Sequence, residues 1–138
     1  MLLFGCRSRD PWRSWVFRVL KAWFFEDSAK ARGMRLLREW LSKEQRRQLD
    51  AEGYFDVVGG ETGKHYRVRY GTSTNVDELD KDGRPKVGWC FVPDGHLVAG
   101  DVMLAQKIAL ETNECVALAV ARSFSPTPMR RPASRRSF

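Results

Sequence analysis

Apolar and polar positions change period along this chain, and the changes divide it into helical and extended stretches. After Pro11, apolar residues recur at Trp12, Trp15, Val16, Val19, Leu20 and Trp23, with Arg13, Arg18 and Lys21 between them. Steps of three and four place these residues on one side of a helix, and proline suits its first turn. The spacing predicts a basic amphipathic helix with tryptophans on its apolar side, ending near Glu26-Asp27-Ser28. From Met34, the positions Leu36, Leu37, Trp40 and Leu41 among Arg35, Arg38 and Glu39 predict a short second helix. Ser42 stands three residues before Gln45, the spacing at which each side chain satisfies a backbone donor of the other residue. A helix over Lys43 to Glu52 should follow, with Gly53 ending it.

The period then shortens to two, which marks extended chain. Tyr54 to Val58 and Lys64 to Tyr70 read as strands separated by Gly59-Gly60-Glu61-Thr62-Gly63. In the second strand Tyr66, Val68 and Tyr70 alternate with His65, Arg67 and Arg69, so the two sets face opposite ways. Asn75 to Leu79 predicts a short strand, and Asp82-Gly83 a tight turn before a strand over Lys86 to Val92. After Pro93-Asp94-Gly95, Asp101 stands as the N-cap of a long apolar helix over Val102 to Ala121. Thr112-Asn113-Glu114 interrupts that helix with polar residues and predicts a kink or a break. The fold class is therefore α+β: a small antiparallel meander of three or four strands packed on a long C-terminal helix and preceded by short helices.

Composition bounds this picture more than it changes it. A length of 138 residues gives room for one core of ordinary size. The net charge of +7 lies wholly at the ends: residues 1–33 carry +4, residues 34–122 carry −1 and residues 123–138 carry +4. Three segments are expected: a basic amphipathic extension over 1–33, a compact domain over 34–124, and a disordered basic tail over 125–138, where no periodicity is found. Met34 follows Gly33 and opens the more ordinary globular sequence, so translation starting at Met34 is a second reading of the first segment. Arg7, Arg9 and Asp10 interrupt the apolar opening, and no secretory signal is expected. Three cysteines, Cys6, Cys90 and Cys115, form no CxxC pair and an odd set, which fits a reducing, cytoplasmic setting. No apolar run reaches the roughly 18 to 20 residues of a membrane span.

The motifs that carry chemistry are near misses. Gly59-Gly60-Glu61-Thr62-Gly63-Lys64 has the look of a phosphate-binding loop, but Val58 occupies the position of the first required glycine and His65 that of the magnesium-binding hydroxyl. A hairpin loop accounts for these glycines. Cys90, His96 and His65 fall short of the ligand pairs that zinc requires, and the cysteines read as small apolar residues. The acids Asp77, Glu78, Asp80 and Asp82 surround a turn, where carboxylates are usually solvated. No nucleophile elbow, HExxH pair or dinucleotide-binding turn occurs, so neither a catalytic residue nor a cofactor is assigned.

Two surfaces remain as candidates. Lys64, His65, Arg67 and Arg69 on one strand form a cationic row able to track phosphates, to which Arg130, Arg131, Arg135 and Arg136 of the tail would add unspecific attraction. Trp12, Trp15, Val19 and Trp23 form the apolar side of a helix able to dock into a protein groove, lie on a membrane surface or pack on its own domain.

The strings Gly53-Tyr54-Phe55-Asp56-Val57-Val58-Gly59-Gly60, Thr62-Gly63, Tyr66-Arg67-Val68, Asn75-Val76 and Gly100-Asp101-Val102-Met103-Leu104-Ala105-Gln106-Lys107 resemble those of a set of small bacterial proteins without an assigned activity. The resemblance runs over about Met34 to Phe124 and implies one compact domain. The function expected is that of a noncatalytic binding or accessory module with a protein or nucleic-acid partner. Nonspecific nucleic-acid binding through the strand row and flanks, and peripheral membrane attachment through the tryptophan helix, are the alternatives.

Overall fold

The computed structural model describes residues 28–126. The expected tryptophan helix, Cys6, the arginine pairs at Arg130-Arg131 and Arg135-Arg136, and most of the expected disordered tail lie outside the described residues. Within them the chain forms helix α1 over 28–40, helix α2 (Lys43–Glu52) and four successive strands. These are β1 (Tyr54–Val58), β2 (His65–Arg69), β3 (Val76–Leu79) and β4 (Pro85–Cys90). Helices α3 (Ala99–Thr112) and α4 (Glu114–Val120) and a last strand β5 (Arg122–Phe124) complete the fold. It is α+β: a five-stranded antiparallel sheet in the order β1-β2-β3-β4-β5, with helices packed against it.

The start of α2 is written in the sequence as expected. Gln45 N–H donates to Ser42 Oγ and Ser42 N–H donates to Gln45 Oε1, each at 3.1 Å. Gly53 ends the helix in the left-handed conformation at φ 76°, which a residue without a Cβ adopts at little cost. The capping glutamine also reaches the sheet: Gln45 Nε2 donates to the carbonyl of Asp56, while Gln48 Oε1 accepts from the Asp56 N–H, both at 2.9 Å. The outward-facing backbone groups of Asp56 in the edge strand β1 are thereby satisfied by side chains of α2, which blocks pairing with a foreign strand at that point.

Alternation gives the sheet two unlike faces. Phe55 and Val57 of β1, Tyr66 and Val68 of β2 and Val76 of β3 line up across the register and are buried. Leu37, Leu49, Met103, Leu104 and Leu110 of the helices, and Leu41 between α1 and α2, pack with them. The apolar face expected of the helix from Met34 is only half right: Leu37 and Leu41 are buried, whereas Leu36 and Trp40 point outward and are 43% and 59% exposed. That helix runs unbroken through Gly33 and Met34. A Cβ on Gly100 would stand 2.2 Å from the Gly33 carbonyl carbon, so α1 and the first turn of α3 cross at backbone contact.

This crossing also explains a correction at the start of α3. Asp101 is not the N-cap; the helix begins at Ala99 with Val98 in the cap position and no side-chain cap bond. Asp101 falls in the first turn, where a carboxylate complements the helix dipole. The expected interruption is a break: Asn113 has φ −150° and ψ 56° and separates α3 from α4. The fifth strand was not expected. Phe124 pairs with Gly88 and its ring lies where a Cβ on Gly88 would be, 2.3 Å from two ring carbons. None of the helices formed by the described residues is long and apolar enough to cross a membrane.

Candidate functional site

The cationic row of β2 is held in ion pairs. Arg67 makes a two-pronged contact with Asp56, Nε to Oδ1 at 2.9 Å and Nη2 to Oδ2 at 3.2 Å, and its guanidinium lies 4.0 Å from the ring centre of Tyr54. Arg69 Nε donates to Asp77 Oδ2 at 2.9 Å, and its Nη2 to the Thr74 carbonyl at 2.8 Å. Lys64 leaves the row altogether: its Nζ is 3.3 Å from Glu78 Oε1, and Glu78 pairs across the register with the core residue Tyr66. His65 is exposed beside them. Asp77 and Glu78 are therefore not solvated turn formers; they are 4% and 6% exposed, and the cations answer them. A carboxylate beside each of Lys64, Arg67 and Arg69 offsets most of the field that a phosphate would meet.

The glycine loop holds an anion, but the anion is part of the chain. Asn113 turns α3 into α4 so that Glu114 points at the loop between β1 and β2. The backbone N–H groups of Glu61 and Thr62 donate to Glu114 Oε2 at 3.1 and 2.9 Å. The Thr62 hydroxyl donates to Oε1, and the Tyr66 hydroxyl reaches the same oxygen at 2.5 Å. Both leading glycines are required by close approach. A Cβ on Gly59 would stand 2.4 Å from the Glu114 carboxylate, and one on Gly60 only 1.8 Å from the Glu111 carbonyl oxygen. Gly60 N–H in turn donates to the Leu110 carbonyl at 3.0 Å, capping the end of α3.

Charge follows from this geometry. Burial alone would raise the Glu114 pKa, but the donors from Thr62, Tyr66 and Glu61 outweigh it and hold the carboxyl at about 2. Burial, with the bond to Glu114 second, pushes the Tyr66 hydroxyl above its usual range. A carboxylate so strongly held is a poor proton acceptor near neutral pH, and both side chains have no exposed surface. The arrangement is a clamp between the β1–β2 loop and the α3–α4 junction. Cys115, next in sequence, is exposed, and its hydrogen bond with Glu61 raises the thiol pKa, which disfavours the reactive thiolate. Among the described residues no group of three or more His, Cys, Asp or Glu is placed to hold a metal ion.

Among the described residues two hollows stand out. The larger, about 540 Å³, is an open depression on α2 lined by Lys43, Arg46, Arg47, Asp50 and Ala51. Two of its charges are paired, Arg47 with Glu44 and Asp50 with Arg38. The second, about 330 Å³, is an apolar groove. Ala105 and Ala109 of α3 line it along one helix side, Phe91, Val92, Pro93 and Leu97 come from the loop after β4, and Val120 from α4. Val92, Leu97 and Val120 are 73%, 50% and 75% exposed. Aliphatic side chains are thus gathered there on a concave surface.

Sequence reasoning missed both the clamp and the groove. Glu114 was read only as part of a polar interruption, yet a glycine pair 55 and 54 residues before it was the available signal of a tight approach. No family model, no curated protein and no solved structure matches the chain.

Proposed function

We propose that the chain is a noncatalytic binding module that takes the apolar side of an amphipathic helix into the groove between α3, α4 and the 91–97 loop. The observation that carries this reading is the groove itself, with Val92, Leu97 and Val120 exposed around small residues at Ala105 and Ala109. From Asp101 to Ala109 it follows two turns of α3, about 12 Å, which suits the i, i+3/i+4 and i+7 anchors of a docked helix. The noncatalytic part is supported by the fate of the best candidate for chemistry, since Glu114 spends its lone pairs on internal donors.

The test is an amide-shift titration of the full chain with a synthetic cationic amphipathic helix bearing tryptophan or leucine anchors. Saturable shifts confined to residues 91–97, 101–109 and 120 are expected, and they should vanish in Ala105→Glu. Shifts centred elsewhere, or an equal response in Ala105→Glu, would overturn the reading.

A further inference from the structure

We infer that the groove's occupant is the chain's own segment of residues 12–25, docked in cis, so that an outside helix must displace it. The inference rests on the groove reading above and adds the identity of the ligand. It begins with the path of the chain. Gly33 of α1 meets α3 at Gly100, with Val98 and Asp101 on either side of the contact. Asp101 and Val102 are among the residues that line the groove. The first described residue, Ser28, is five positions before Gly33, about 8 Å of helix. Phe25 is only three positions before Ser28. The segment is thus joined to α1 within about 8 Å of helix from Gly33, which meets the groove-lining Asp101.

A short tether changes how much affinity is needed. Linked sites of this kind see one another at an effective concentration of about 1 mM. Contacts with a dissociation constant near 0.1 mM therefore keep the segment docked about nine-tenths of the time, without any tight interface. The chemistry matches as well. Trp12, Trp15, Val19 and Trp23 repeat at steps of three and four, and Trp15 to Trp23 extends about 12 Å as a helix, the length of the groove. Arg13, Arg18 and Lys21 fall between them, while the groove's lining includes the exposed Asp101 and the 91–97 loop carries the exposed Asp94. Opposite charge there favours this occupant over an acidic helix.

The test compares the full wild-type chain with two groove variants, Ala105→Glu and Val120→Glu, both at exposed positions, and with a segment variant carrying Trp12→Ser, Trp15→Ser and Trp23→Ser. Hydrogen exchange at a concentration where the chain is monomeric should show the amides of residues 12–25 slowed at least about tenfold, as docking of a helix requires. Both groove variants should abolish that protection. The synthetic helix should bind the segment variant about tenfold more tightly than the wild type, because the competitor is gone. Free exchange in the wild type, or protection that survives both groove variants, overturns the inference. Protection that appears only when the chain self-associates assigns the groove to a second copy and overturns docking in cis. Protection that appears only with anionic vesicles makes a lipid surface the partner and overturns it likewise. If the segment variant binds the synthetic helix in the groove while residues 12–25 exchange freely, the groove reading stands and only the occupant is wrong. If that variant gives no response in the groove, both fall.

Discussion

The hydroxyl of Tyr66 in β2 donates to Glu114 at the start of α4 over 2.5 Å, across 48 residues of sequence. This contact and the three from Glu61 and Thr62 join the β1–β2 hairpin to the helices that cover it. Substituting either residue strands the other in a buried site.

Glu114→Gln keeps the shape but turns an acceptor of charge-assisted bonds into a neutral amide with two donors of its own. A loss of roughly 3 kcal/mol is expected, and roughly 1 to 2 kcal/mol for Tyr66→Phe. Urea denaturation of both single variants and the double variant should give a coupling of about 1 kcal/mol or more. Additive losses would mean that the contact contributes little.

Acid should weaken the fold through the same group. The folded-state pKa of Glu114 is depressed to about 2, so below its ordinary value the unfolded chain binds a proton that the folded chain resists. Stability from this group is complete above about pH 5 and is lost as pH falls toward 2. The urea midpoint should therefore drop more steeply between pH 5 and pH 2 in the wild type than in Glu114→Gln. The raised Tyr66 hydroxyl has the opposite window. Its contribution is complete below about pH 10, the ordinary value for tyrosine, and is lost as pH rises beyond that.

Gly60→Ala should be far more damaging than Gly83→Ala. Gly83 has φ 75° but open space around it, so alanine there carries only the conformational penalty, about 1 kcal/mol. At Gly60 the added methyl meets the Glu111 backbone at 1.8 Å, and the loop must move, at a cost of about 3 kcal/mol or more. Thermal melting of the two variants separates the cases.

Arg69→Met should destabilise by about 1 to 3 kcal/mol, because Asp77, only 4% exposed, loses its paired cation. Adding Asp77→Asn should recover part of the loss. In a polyanion-binding assay the double variant tests the cationic row separately from stability: affinity for a nucleic acid that is unchanged while the fold is intact counts against that row as the contact surface.

The backbone outline was legible because its signals are local. The Ser42–Gln45 cap, the stop at Gly53, the alternation in β1 and β2 and the break near Asn113 each depend on residues a few positions apart. What escaped depends on distant pairs. Three residues, Arg122-Ser123-Phe124, are too few to show alternation and become a strand only because Gly88 leaves room for Phe124. Val98 takes the place expected of Asp101 because α1 presses on Gly100. The glycine loop was rejected as a phosphate site by counting residues. Counting had no means of finding that Glu114 supplies the negative charge from within.

The separation between the clamp's two halves has a kinetic consequence. The β1–β2 hairpin closes through neighbours, whereas Glu114 belongs to a junction that leaves the ribosome some fifty residues after the loop that receives it. Long-range contacts of this kind form after loop closure has been met elsewhere, so the clamp should be absent from the transition state. Its strength would then show in how slowly the native chain opens, with little bearing on how fast it forms. In stopped-flow measurements Glu114→Gln should accelerate unfolding and leave the refolding limb almost where it was, making this carboxylate a latch on the finished molecule that takes no part in its assembly.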